Sequence, residues 1–382
     1  MIFMAKLIDI TGKALSGEWG LDDDNGSGIP VLRTTNFTNE GIVNYDNVVT
    51  RKISKKNISE KFLKKGDILI EKSGGSDKFP VGRVIYYDGE NDKYLFNNFT
   101  GLLRIKNVTT WYPKYVFYSL FANYKRGGTR CFENKTTGLH NLKTDDYVQR
   151  YEIAELSIEK QMRICDNLDK IHSIIISQKK ELSYLDELVK ARFIEMFGEP
   201  SNERFQKKKL KETCRVITGN TPSRAITDYY GTHIEWVKTD NIVSGKINPT
   251  KATEGLSQKG EKVGRVVEKD AILMVCIAGS VASIGRVCIT NRKVSFNQQI
   301  NAVVTDEYNV IFLYVLFQLS KTYLVSELNM SLKGILSKSK LEDKEFIMPP
   351  IEMQNEFADF VMQIAKSKLQ VYQYMVANWL RV

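Results

Sequence analysis

The acidic, basic and nucleophilic residues of this chain offer little that could make or break a covalent bond. Glu342-Asp343-Lys344 is a nominal E-x-K, a triplet that a metal-dependent nuclease can use, but one that arises by chance in any charged sequence. His140, His172 and His233 lie far apart and have no E-x-x-H companion, so neither a zinc site nor a Ser-His-Asp site can be built from them. There is no G-x-x-x-x-G-K-[ST] phosphate cradle, which excludes P-loop ATP hydrolysis. A DNA methyltransferase would need Asp or Asn before Pro-Pro-Tyr or Pro-Pro-Phe, and a glycine-rich turn for its methyl donor. MPPIEM at 348–353 has the prolines without those neighbours and reads as a helix start. Cys131, Cys165, Cys214, Cys276 and Cys288 are odd in number and form no C-x-x-C pair, which argues against a disulfide framework or a zinc cage. No catalytic residue, no metal site and no cofactor on this chain are expected, and the thiols suit a reduced, cytoplasmic setting.

Binding chemistry is better supplied, and it comes in duplicate. IPVLRTTNF at 29–37 is echoed by IEWVKTDNI at 234–242, so Arg33, Thr34, Thr35 and Asn36 correspond to Lys238, Thr239, Asp240 and Asn241. Each set follows an apolar run, where a strand would turn outwards. Arg or Lys there could meet phosphates, and the amides and hydroxyls could read base edges. EKSGGSDKFPVGR at 71–83, carrying Lys72, Ser73 and Arg83, matches CIAGSVASIGR at 276–286, carrying Ser280 and Arg286. Glycines let backbone approach backbone, and the two arginines could meet phosphates. Asn97-Asn98 and Asn297-Gln298-Gln299 complete the polar set.

The elements that must carry these residues are duplicated too. IEKQMRI at 158–164 and IEMQNEF at 351–357 lie 193 positions apart, and such long-period echoes mark copies of one structural unit. From 158 to 197 there is no proline or glycine, and Ile164, Leu168, Ile171, Ile175 and Leu182 fall on one seam of a long helix, stopped by FGEP at 197–200. About 40 residues at 1.5 Å each make a rod of roughly 60 Å. The second copy, after Pro349-Pro350, places Phe357, Val361, Ile364 and Val371 on the same register, so the two helices can bury each other as an antiparallel pair. The blocks between them echo at KGDILI and KDAILM, at VGRV and IGRV, and at TGLHNL (137–142) and KGILSK (333–338). Short Val/Ile/Phe-rich runs broken by Gly, Asn and Asp read as strands, with helical segments at 112–124 and 310–324. The organisation is block 1–157, helix 158–199, block 200–349 and helix 350–382. The fold class is α+β, with two mixed α/β domains separated by two long antiparallel coiled-coil helices in a pseudo-twofold repeat.

The formal net charge of +10 resides in the two blocks, while the helices are near neutral, as suits a protein that touches a polyanion at two places. The longest apolar runs are too short to span a bilayer, and the N-terminus MIFMAKLIDITG has no signal-peptide pattern.

With TGNTPS at 218–223, IGRV at 284–287, PPIEMQ at 349–354 and RFIEMFGEP at 192–200, the chain resembles the specificity subunit of type I restriction-modification systems over essentially its whole length. The resemblance implies two target-recognition domains, each reading one half of a split, asymmetric site in double-stranded DNA, held apart by the helices. It also implies two docked methyltransferase subunits that bring S-adenosylmethionine and methylate flipped adenines, and restriction subunits with ATP and Mg²⁺ that could join them. Two departures stand out. The first block opens with SGEWGLDDDNGSG at 16–28 and has no T-G-x-T-P, a departure that bears on its edge toward DNA. The second helix has about 33 residues to Val382, a shortfall open to three readings: a truncation, a recombination joint, or a terminus completed by another chain.

Overall fold

Two tetrapeptides, ILIE at Ile68–Glu71 and ILMV at Ile272–Val275, are buried along their whole length, each at the heart of one unit of the protein. The structure is a computed structural model describing residues 3–55, 57–77, 79–134, 140–326 and 334–379, with side chains at all of these except 281 and 374–379. Contacts divide the chain into a unit running up to Ser177 and a unit beginning at Gln178, so the division falls inside the first long helix.

In the first unit, an antiparallel sheet runs in the order Leu15–Ser16, Thr100–Leu103, Ile68–Glu71, Val84–Tyr86. Side chains alternate across a strand, so Ile68 and Ile70 join Val116, Phe117 and Leu120 of the Pro113–Lys125 helix. Leu69 points the other way, to Leu32 and Phe96 of a second sheet. A strand covered on both faces needs apolar residues at every position, which is why ILI shows no polar alternation. The second sheet is ordered Leu21–Asp22, Val49–Lys52, Ile29–Leu32, Leu95–Phe96, its last pair parallel.

The second unit repeats this plan. Its first sheet is Arg215–Thr218, Ile300–Val304, Ile272–Val275, Val287–Ile289. Ile272 and Met274 pack with the Val310–Leu319 helix, while Leu273 and Val275 pack with Val237 and Phe296 of the second sheet. There, Tyr230–Val237 and Val294–Phe296 are again the parallel pair. In both units the opening strand closes on the strand just before a long helix: Met4–Lys6 on Glu152–Ala154, and Lys207–Lys209 on Glu345–Ile347. The echoed stretches at 137–142 and 333–338 supply His140–Leu142 and Gly334–Ile335, which pair with Ser73–Gly75 and Ile277–Ala278. Residues 137–139 and 333 lie outside the described residues.

The first long helix is Ile158–Phe197. It stops at Gly198, whose left-handed φ of 77° and N–H bond to Ile194 O at 2.8 Å form a glycine C-cap. The second is Ile351–Trp379, and residues 380–382 lie outside the described residues. Within the second unit, the end of the first helix runs antiparallel to the start of the second. The Phe193 and Phe357 rings lie 5.5 Å apart, Arg192 meets Glu356 at 2.8 Å, and Lys368 pairs with Asp186. Phe357, Val361 and Ile364 are buried, whereas Leu168, Ile171, Ile175, Leu182 and Val371 are half-buried. Ile164 is a correction, because it is 37% exposed while its neighbour Cys165, one position off the proposed seam, is fully buried, as is Gln161 one turn earlier. The first turns of this helix face their own block. No helix among the described residues is long and apolar enough to cross a membrane.

Candidate nucleic-acid interface

Each block brings three chain segments to one end of its first sheet by the same set of backbone contacts. Asn97 N donates to Leu32 O at 3.0 Å, and Asn297 N to Val237 O at 3.1 Å, which ties the amide cluster to the strand that precedes the Arg33 or Lys238 turn. Gly17 and Gly219 then pass so close that a Cβ would lie 2.2 Å from Asn97 O and 2.1 Å from Asn297 O. Only glycine fits there. The Ser16-Gly17 pair therefore stands where TGNTPS has Thr218-Gly219, so the first block has the same close glycine approach without the T-G-x-T-P motif.

The Arg33–Asn36 and Lys238–Asn241 turns are built alike. Asn36 Oδ1 accepts the Arg33 N–H at 2.9 Å while its Nδ2 donates to Asn44 O at 3.0 Å, and Asn241 Oδ1 accepts the Lys238 N–H at 2.9 Å while its Nδ2 donates to Thr250 Oγ1 at 3.2 Å. Both asparagines are buried and spent on the turn, so neither is available to a base. Arg83 and Arg286 are corrected in the same way. Arg83 donates to Thr34 O and Phe37 O at 2.9 Å each, and Arg286 to Thr239 O at 3.3 Å, so these guanidiniums rivet the turn to the neighbouring loop. Arg83 also faces Glu71 at 3.4 Å; burial raises that carboxyl above the ordinary carboxylate range in spite of the arginine. Asn97 and Asn297 are buried as well, the latter holding Gln299 through its side chain at 3.0 Å.

The remaining candidates reach the surface. Thr35, Asn98, Asp240, Ser280 and Gln298 are exposed, and Arg33, Thr34, Lys72, Ser73, Lys238, Thr239 and Gln299 are half-buried. Arg33 donates through Nη2 to Asn47 O at 3.1 Å. Lys72 Nζ donates to Ser16 Oγ at 3.0 Å, and burial lowers its pKa. Ser280 meets Ser283 at 3.0 Å, and Gln298 accepts from Thr221 of the TGNTPS stretch.

Residues beyond this set complete the second site. Glu254 holds Arg224 at 2.6 Å and pairs with Lys238, and these cations, Lys238 first, hold its carboxyl below the ordinary range. The Arg224 guanidinium stacks 4.3 Å from the Tyr230 ring and 5.1 Å from Trp236, with Lys238 Nζ 5.0 Å from Trp236. The first block has its own version, with Arg51 4.2 Å above Trp19 and paired with Asp22. Trp236 is visible inside the IEWVKTDNI echo, but nothing in the sequence connects it to Arg224 or Glu254. Elsewhere, Asp343 and Glu342 of the E-x-K triplet pair with Lys211 and Lys338. His140 meets Glu133 at 2.9 Å and Asp77 at 3.5 Å, His233 meets Glu261 at 2.9 Å, and no group of His, Cys, Asp and Glu side chains that could hold a metal ion occurs among the described residues.

A duplicated sheet pair, each copy presenting a Gly-bounded polar loop cluster with stacked cations, defines a protein built of two related modules. A family model described as the type I restriction modification DNA specificity domain matches residues 4–185 and again 202–371, and the chain belongs to that family. It is 28% identical over 114 residues to the specificity subunit of the type I restriction enzyme HindI of Haemophilus influenzae, covering 29% of this chain and 24% of that protein. It is 29% identical over 160 residues to the MjaIX specificity subunit of Methanocaldococcus jannaschii, covering 40% and 35%. The matched stretches thus span about a quarter and a third of these curated relatives. Among solved structures, the type I restriction-modification S subunit from M. genitalium aligns with a TM-score of 0.52 at 13% identity, covering 100% of this chain and 93% of that one. A chain from a structure of type I R-M complex assembly and conformational transition aligns with a TM-score of 0.51 at 14% identity, covering 99% and 94%. At such identities the likeness is one of fold.

Proposed function

We propose that this chain is the DNA-recognition subunit of a type I restriction-modification system, reading a bipartite, asymmetric site and doing no chemistry itself. The observation that carries this reading is the duplication of one polar loop cluster with different side chains at equivalent exposed or half-buried positions: Arg33 against Lys238, Thr35 against Asp240, Asn98 against Gln298. Equal scaffolds with unequal tips suit two half-sites of different sequence. In this reading the two long helices form an antiparallel coiled-coil spacer. Two methyltransferase subunits carrying S-adenosylmethionine dock on the helices and blocks, and restriction subunits supplied with ATP and Mg²⁺ can join them. The work of this protein is done in the cytoplasm, where the genome is.

The test is binding of duplex DNA by the purified chain over a range of salt concentrations. The account predicts that log affinity falls linearly with log salt, as neutralised phosphates release their counterions. Salt-independent binding, or none, would favour a protein scaffold, and DNA cutting with Mg²⁺ that is lost on Glu342→Gln would favour a nuclease.

A further inference from the structure

Gln161 and Gln354 occupy the same place in the two copies of the I-E-x-Q phrase, and both are 0% exposed. Gln161 Oε1 accepts the N–H of Tyr112 at 2.8 Å, and its Nε2 donates to Thr110 O at 2.9 Å and Leu156 O at 2.8 Å. Tyr112 is the N-cap of the Pro113–Lys125 helix. Gln354 Oε1 accepts the N–H of Asn309, the N-cap of the Val310–Leu319 helix, at 3.0 Å, and its Nε2 donates to Pro349 O at 2.8 Å. One carboxamide in the first turn of each long helix is thus wired to the start of the helix that backs its own block's central sheet. The site needs an acceptor and a donor on one planar group. Glutamate could accept but not donate, and an apolar side chain would leave a buried N–H and buried carbonyls unpaired.

We infer that Gln161 and Gln354 are positioning residues that set the angle of each recognition block on its own long helix, and through it the separation of the two half-sites. The inference rests on the proposed split-site reading. Among the described residues, the other contacts at the first junction are less directional: His172 lies edge-on to the Tyr118 and Phe121 rings, 6.5 and 6.4 Å away. Asp169 meets Lys114 at 2.5 Å and Tyr118 at 2.6 Å, but its side chain is about one-third exposed, where water can replace either partner. The second junction is backed by stacked and edge-on rings of Phe193, Phe197, Phe312 and Phe357. Loss of Gln161 therefore loosens its block more than loss of Gln354 loosens the other.

The test is methylation of a plasmid library in which the two half-sites are separated by spacers of different length, carried out by the assembled methyltransferase complex. The wild type methylates one spacer length. Q161A keeps both half-site sequences, while neighbouring spacer lengths rise roughly tenfold relative to the preferred one, and Q354A changes them less. Q161M, of similar length, and Q161E, which keeps the acceptor but not the donor, supply the test if Q161A does not fold. A single spacer length retained by the folded variants, even with lowered thermal stability, overturns the positioning role. If the wild type shows no split site at all, it is the underlying reading of function that fails.

Discussion

Glu254 offsets the positive charge at this edge of the second block, because Lys238 and Arg224 are both bound to its carboxylate. Removing that negative charge leaves two cations stacked on Trp236 and Tyr230 with no counter-charge between them. Glu254→Gln should therefore raise non-specific DNA affinity and steepen the log–log salt slope by about one to two, which anisotropy titrations would read. An unchanged slope would mean that this cluster lies away from the phosphates. At this scale the sequence is partly legible. The turn at 33–36 and its copy at 238–241 are evident from pattern, as are the loop arginines. Whether each side chain faces in or out is not, because the residue types that read bases also hold turns. Asn36, Asn241, Arg83 and Arg286 do the second job. The Glu254 cluster joins residues 30 positions apart along the chain, with no local signal to connect them.

At the scale of elements, the long first helix and its glycine stop follow directly from the absence of helix breakers before Gly198. The seam was harder to place, since a heptad reading assumes that the partner is another helix all along. Over its first turns the partner is the helix's own block, so Gln161 and Cys165 are buried and Ile164 is left half in water. Ile164→Asp is then expected to shift stability by no more than about 0.5 kcal/mol. Phe357→Ala, which empties a fully buried position among Phe193, Phe197 and Phe312, should cost about 3–5 kcal/mol. Denaturant unfolding of the two variants would check the contrast, and a large loss at Ile164 would restore the uncorrected seam. The central strands are legible from short runs such as ILI and ILMV, bounded by Gly, Asp and Lys, whereas the longer apolar run VIFLYVLF forms a buried helix.

At the scale of the whole molecule, the order of block, helix, block, helix is legible from the echoes alone; the first sheets of the two units share one strand order, and the second sheets share three strands but add the fourth at opposite edges. The duplication is functional only if the two blocks read different DNA. The most direct measurement is a map of modified adenines across the host genome by single-molecule sequencing, with this gene intact and deleted. The account predicts a split, asymmetric adenine motif that is present with the gene and absent without it. An unchanged set of modified adenines, in cells where the partner methyltransferase is expressed and active, would contradict it.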